Sequence, residues 1–250
     1  MAFEPQDQTV LRTGSHTQTL EIDQGLRSYM LKVYNYMASG LALTGIVAMF
    51  AASYEPLARM FYMINETGHI TGMTGLGWII TFAPLALVFV LSFGINRMSA
   101  PAAQGTFWFY SGLMGLSLSY IFFLYTGASI TRVFFITAAT FAGMSLYGYT
   151  TKRDLTGIGS FLIMGLIGLI IASVVNFFLQ SSALHFVISA AGVLIFVGLT
   201  AYDTQKIKAI YNEMDGKEVA TKKAIMGALT LYLDFINLFI MLLRLFGERR

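Results

Sequence analysis

The sequence has no cysteine, which removes disulfide frameworks, thiol nucleophiles and zinc or iron–sulfur sites built on thiolates. Charge is also scarce. Asp, Glu, Lys and Arg make up 12% of the 250 residues, where an ordinary soluble domain carries about 25%. The net charge of +3 is too small to imply a polyanionic partner, so no nucleic acid is expected. The three histidines are scattered over the N-terminal segment, a loop and an apolar run, and compose no zinc site. What is abundant is apolar: 56% hydrophobic residues, 24 Gly, 21 Phe and a mean hydropathy of +0.67. A soluble fold of this size could not hide that surface, and glycine-rich apolar runs are a mark of helical membrane proteins. The composition predicts an all-α polytopic membrane protein whose first partner is the lipid bilayer.

Residues 1–28 mix Glu4, Asp7, Arg12, Glu21, Asp23 and Arg27 with Gln, Thr and Ser, and hold no apolar run of signal-peptide length. They read as a retained polar N-terminal arm ahead of a transmembrane domain at 29–250. Runs of about 20 apolar residues cross a hydrocarbon core. Seven occur, near 33–52, 77–96, 106–125, 130–150, 158–179, 184–202 and 224–246. The longest loop, 54–75, is expected to carry a short interfacial helix around 56–64. With the N-terminus inside, eleven Lys and Arg fall in inner segments and five in outer ones, namely Arg59, Arg132, Arg244, Arg249 and Arg250. The excess marks the cytoplasmic side, so an N-in, C-out chain is expected. Small residues repeat every fourth position at Ser111, Gly115 and Ser119, and at Ala139 and Gly143, as helix-packing stripes do.

Ionisable residues inside such runs are the informative ones, because each is unfavourable at mid-bilayer unless paired or wetted. Asp234 lies ten residues into the seventh run. Thr230, Asp234, Asn237, Met241 and Arg244 recur at helical spacing, one polar face on an otherwise apolar helix. That face must look into the bundle, where Thr230 and Asn237 are candidates to line an ion path. Asp203 ends the sixth run, where a helix C-terminus disfavours a carboxylate unless the helix continues or a cation sits nearby. Arg97 ends the second run at the same membrane level as Asp203, so a salt bridge is geometrically open. Two acids that approach one another titrate as one unit, bridged by a proton or by a cation. With hydroxyls, carbonyls and water, Asp203 and Asp234 could form a weak calcium site.

The segment Leu231-Tyr-Leu-Asp-Phe-Ile-Asn-Leu-Phe239, followed by Leu242-Leu-Arg-Leu-Phe-Gly247, resembles the C-terminal signature of the Bax inhibitor-1 family of seven-helix membrane proteins, bacterial members included. Gly148-Tyr-Thr-Thr-Lys-Arg-Asp-Leu155 and Ala201-Tyr-Asp-Thr-Gln-Lys206 are similar to two further stretches of that family. The resemblance spans about 29–247. It implies six helices around a central seventh and a pH-dependent calcium leak. It also implies gating by an aspartate pair matching Asp203 and Asp234, with an arginine partner matching Arg97. Some members carry an acidic residue in the second helix; none stands between Gly77 and Asn96 here.

The leading functional expectation is therefore a pH-sensitive cation leak with no resident cofactor beyond transient Ca²⁺. The alternative is a non-transporting regulator that binds a membrane protease or stress-response complex through the polar arm or the Lys-rich 205–223 loop. An enzyme is not expected. Gly157-Ile-Gly-Ser160 resembles the nucleophile segment of an intramembrane serine protease, but Phe161 stands where Gly belongs and only His185 could serve as base. No lysine lies between Ala224 and Arg250 to hold a retinal.

Overall fold

The computed structural model describes residues 8–66 and 70–250, with side chains from residue 24 onward. Of the arm read at 1–28, residues 1–7 lie outside the described residues. From Gln8 the backbone is helical as part of α1 (Gln8–Ser53). A short α2 (Glu55–Phe61) follows, with proline in its first turn, where a missing N–H loses no bond. The interfacial helix expected at 56–64 thus ends three residues early. Tyr62–Ile64 turns into β1, which pairs antiparallel with β2 (Ile70–Met73). This hairpin was not foreseen, because Tyr-Met-Ile fits either state and only cross-strand bonding decides between them.

The other six spans are α3 (Gly75–Gly94), α4 with α5 (Ala100–Leu118 and Ile121–Leu124), α6 (Gly127–Thr150), α7 (Thr156–Leu179), α8 (Ser182–Ala209) and α9 (Lys217–Phe246). With α1 they make seven helices long and apolar enough to cross a membrane. Hydroxyl caps set the starts of four of them. Thr74, Ser99, Thr126 and Ser181 each accept an amide of the first turn, one of the donors a helix start leaves unpaired. The α7–α8 turn is closed by Gln180 in the left-handed region at φ 50°, with Asn176 Oδ1 accepting the Ser181 amide at 3.0 Å.

The third span breaks at Ser119, whose hydroxyl donates to the Leu116 carbonyl at 2.7 Å. Tyr62 of the hairpin covers the break: its phenol donates to Ser119 Oγ at 3.0 Å and accepts the Tyr120 amide. Burial pushes the Tyr62 phenol above its ordinary pKa.

The core centres on α9. In its most apolar 18-residue window 72% of residues are buried, against 11% for α7. It packs on α8, α1, α6 and α4. Large apolar side chains such as Phe93, Phe161, Phe178 and Leu194 point outward instead, as a lipid-facing surface requires.

Of the two small-residue stripes, one behaves as expected. Ser111 and Ser119 are fully buried, and a Cβ on Gly115 would sit 2.6 Å from the Thr44 carbonyl of α1. The other does not: Ala139 and Gly143 are exposed, and no neighbouring helix comes near Gly143. α6 packs instead through Ser129, Val133, Thr137, Phe141, Ser145 and Gly148. A Cβ on Gly148 would overlap the Ala201 backbone of α8. Spacing alone could not separate the two faces, since lipid and protein neighbours are equally apolar. Gly148→Ala and Gly115→Ala are each expected to destabilise the bundle by about 1–3 kcal/mol through forced helix separation, read as a lower Tm in detergent. Gly143→Ala should leave Tm unchanged or raise it, because there only helix propensity acts.

Candidate functional site

The sixth-run motif at 201–206 lies within α8, which continues to Ala209. Asp203 is therefore inside a helix and escapes the unfavourable C-terminal position considered from the sequence. α9 carries Asp234 to the same point from the other side. The two carboxyl groups lie within hydrogen-bonding reach of one another. Asp234 is buried at 5% exposure, and its Oδ2 has no hydrogen-bond partner among the described residues. Two carboxyl groups can hydrogen-bond only if one is protonated, because carboxylates have no hydrogen to give. The arrangement is thus a place for one shared proton or for a cation.

Every residue of the 201–206 segment has a task around this pair. Ala201 meets Gly148 of α6, and the Tyr202 ring lies against Gly159 of α7. Gln205 accepts the Leu155 amide at 2.9 Å and donates to the Arg153 carbonyl at 2.8 Å, tying the α6–α7 loop to α8. The stretches 148–155 and 201–206, each singled out in the sequence, are thus docked on one another. In that loop Asp154 accepts both the amide and the hydroxyl of Thr156, at 2.9 and 2.6 Å, which holds its carboxyl below the usual pKa. Lys206 is the cation whose charge reaches Asp203, and its ammonium lies 5.9 Å from the Tyr202 ring centre.

Thr204 extends the polar cluster across three helices. Its hydroxyl donates to the Thr200 carbonyl at 2.7 Å, a bond independent of Ser145, so it accepts from Ser145 Oγ at 3.0 Å; Ser145 in turn accepts from the Tyr34 phenol at 2.6 Å. The chain is one-directional, from Tyr34 on α1 through Ser145 on α6 to α8. A second link fixes the opposite face of α9. Thr44 Oγ1 donates to the Ser111 carbonyl at 2.8 Å and accepts from the fully buried Tyr232 phenol at 2.6 Å. Sequence reasoning missed Tyr34, Thr44, Ser145 and Tyr232. Their hydroxyls look ordinary in apolar runs, and only the helix crossings give them partners.

The remaining candidates are placed less uniformly. Thr230 and Asn237 flank Asp234 on α9, half-buried, with donors spent on the carbonyls of Met226 and Leu233 at 3.1 and 2.8 Å. Asn237 and Met241 border a cavity of 640 Å³ between α3 and α7. Arg97 is exposed in the turn after α3 and forms no ion pair among the described residues, so this conformation does not join it to the acids. Among the described residues no three His, Cys, Asp or Glu side chains cluster. Calcium at Asp203 and Asp234 would therefore need neutral oxygens and water to complete its shell. Ser160 donates to the Thr156 carbonyl at 3.0 Å near the inner end of α7. His185 starts α8 at the outer end, roughly 30 Å away along the helix axis at 1.5 Å per residue.

Ser145→Ala should cost more than Tyr34→Phe, about 1–2 against about 0.5 kcal/mol, because it strands the Tyr34 phenol and also removes the donor to Thr204 Oγ1. Thermal unfolding of the two variants in detergent checks the order.

Comparison with known proteins fits this geometry. Residues 26–250 match the family described as "Inhibitor of apoptosis-promoting Bax1". Protein RP147 of Rickettsia prowazekii is 53% identical over 240 residues, covering 96% of this chain and 97% of the relative. Inner membrane protein YbhL of Escherichia coli K12 is 51% identical over 228 residues, covering 90% and 94%. A membrane protein of Streptococcus pyogenes serotype M6 is 38% identical over 235 residues, covering 93% and 98%. With a central seventh helix bearing Asp234, and with a family match over nine-tenths of its length, the chain belongs to the Bax inhibitor-1 family of polytopic membrane proteins.

Proposed function

We propose that the protein is a pH-sensitive leak pathway for cations, calcium foremost, in the bacterial inner membrane, controlled by the Asp203/Asp234 pair. The observation that carries this reading is the pair itself: two carboxyls within hydrogen-bonding reach on α8 and the central α9, one with a buried oxygen that has no partner among the described residues. A shared proton draws α8 onto α9 and leaves no room for an ion between them. Losing that proton places two like charges in contact within a poorly polarisable interior, which either separates the helices or attracts a cation in the proton's place. Proton and cation compete for one position, so the leak rises as pH rises. Thr230 and Asn237, on the same face of α9, supply neutral oxygens along the path, and Asn237 opens toward the cavity between α3 and α7. The protein's role is passage rather than bond-making.

The test is calcium entry into proteoliposomes loaded with a fluorescent indicator, compared at about pH 6 and about pH 8, a range that perturbed carboxyl pairs can reach. Wild type should leak faster at the higher pH. Asp203→Asn and Asp234→Asn should each flatten the pH response, because an amide donates to the remaining acid at either pH. Asn variants that titrate like wild type would exclude the pair as the gate. Absence of flux above empty liposomes would favour a non-transporting regulatory role for the family fold.

A further inference from the structure

The outer end of the bundle holds a polar cavity of 190 Å³ that the leak pathway does not use. His185 from the first turn of α8, Arg244 from the last turn of α9 and Arg249 from the C-terminal segment converge on it, with Tyr120 and Tyr125 on its other wall. The two guanidinium groups are the charges that act on His185, and Arg244 also acts on Tyr120.

Arg249 is held here by the backbone. The Thr126 amide donates to the Glu248 carbonyl at 3.1 Å, the Arg250 amide donates to the Leu124 carbonyl at 3.1 Å, and the Glu248 amide donates to Ser129 Oγ at 3.0 Å. Tyr125 and Arg249 form an isolated antiparallel bridge. The carboxylate on this segment, Glu248, faces Arg132 at 3.7 Å instead. Among the described residues no carboxylate is within ion-pair distance of Arg244 or Arg249.

Cations gathered without a counter-charge repel one another. A fold that nonetheless ties the segment carrying one of them in place by three hydrogen bonds, on the residues either side of Arg249, is arranged for an anion. Two guanidinium forks, an imidazole and two phenols offer donors from several directions. One carboxylate would be satisfied by a single fork, whereas the oxygens of a phosphate group can use all of them. We propose that this cavity binds a phosphate group, either on an anionic lipid headgroup at the outer membrane surface or as free phosphate from the aqueous side. The two tyrosines at the membrane edge suit both sources, since such rings sit at headgroup level. The site is independent of the acid pair. It also accounts for two of the three C-terminal arginines that run against the inside-positive charge bias.

The experiment uses the full chain purified in detergent and in lipid nanodiscs. Inorganic phosphate is titrated against thermal unfolding in detergent. Retention of phosphatidylglycerol is compared with that of phosphatidylcholine, whose phosphate carries its own cation, by native mass spectrometry. A phosphate-dependent rise in Tm identifies free phosphate as a ligand, and selective phosphatidylglycerol retention identifies the lipid headgroup. In either case Arg244→Gln combined with Arg249→Gln should weaken binding by about tenfold or more, the scale of a lost charge-assisted bond. Circular dichroism and gel filtration check folding of the double variant. Should it not fold, Arg249→Gln alone, on the exposed C-terminal segment, is expected to give a loss of about tenfold. Wild type that binds neither probe, or variants that bind both as wild type does, would overturn the proposal.

Discussion

In a bilayer the hydrophobic effect does not press one helix against another, because lipid tails are as apolar as leucine. What holds this bundle together is close packing and buried hydrogen bonding around α9, and the rest of the architecture depends on it. α9 buries Leu231, Tyr232, Leu238 and Leu243 to 2% exposure or less. It meets four other spans, while α3 and α7 stand farther out and turn much of their surface to lipid. Glycine is used where backbones cross most closely, at Gly115 between α4 and α1 and at Gly148 between α6 and α8.

Polar side chains then set rotation and register. Tyr232 and Asp234 are two residues apart and so face opposite ways on the helix. One locks α9 to α1 through Thr44, and the other meets Asp203 on α8. A rotation of α9 that relieved the acid pair would strain the Tyr232–Thr44 link. The Tyr34–Ser145–Thr204 chain similarly ties α1 and α6 to the turn of α8 that carries Asp203. The acid pair is therefore embedded in a framework that resists small displacements.

Charge is distributed along the membrane normal with comparable economy. At the end of the bundle that holds the acid pair, the lysines flanking the α8–α9 connection are engaged: Lys223 bridges Asp215 at 2.5 Å, Lys222 bridges Glu218 within α9 at 3.2 Å, and Lys208 donates to the Tyr149 carbonyl at 2.9 Å. At the opposite end two arginines are gathered with His185 over one cavity rather than spread through loops. The acid pair and this cavity thus lie at opposite ends of the same two helices, α8 and α9.

The class and the span plan are legible in composition and run length. Runs of about 20 apolar residues with almost no charge have one common solution in lipid, a helix that satisfies its own backbone, and each of the seven expected runs lies on one of the observed spans. The polar face through Thr230, Asp234 and Asn237 was legible because 3.6-residue periodicity is local. Asp203 stood out as an acid at the end of an apolar run, but its contact with Asp234 could not be read from the sequence, since no periodicity links residues on two helices. Tertiary structure alone decided which small-residue stripe packs, why Ala139 and Gly143 face outward, and how the hairpin's Tyr62 plugs the break at Ser119. It also decided how Arg244, Arg249 and His185 come together from distant positions. Each of these turns on which surface another helix covers, and in a chain where lipid and protein neighbours are equally apolar, only the fold records that choice.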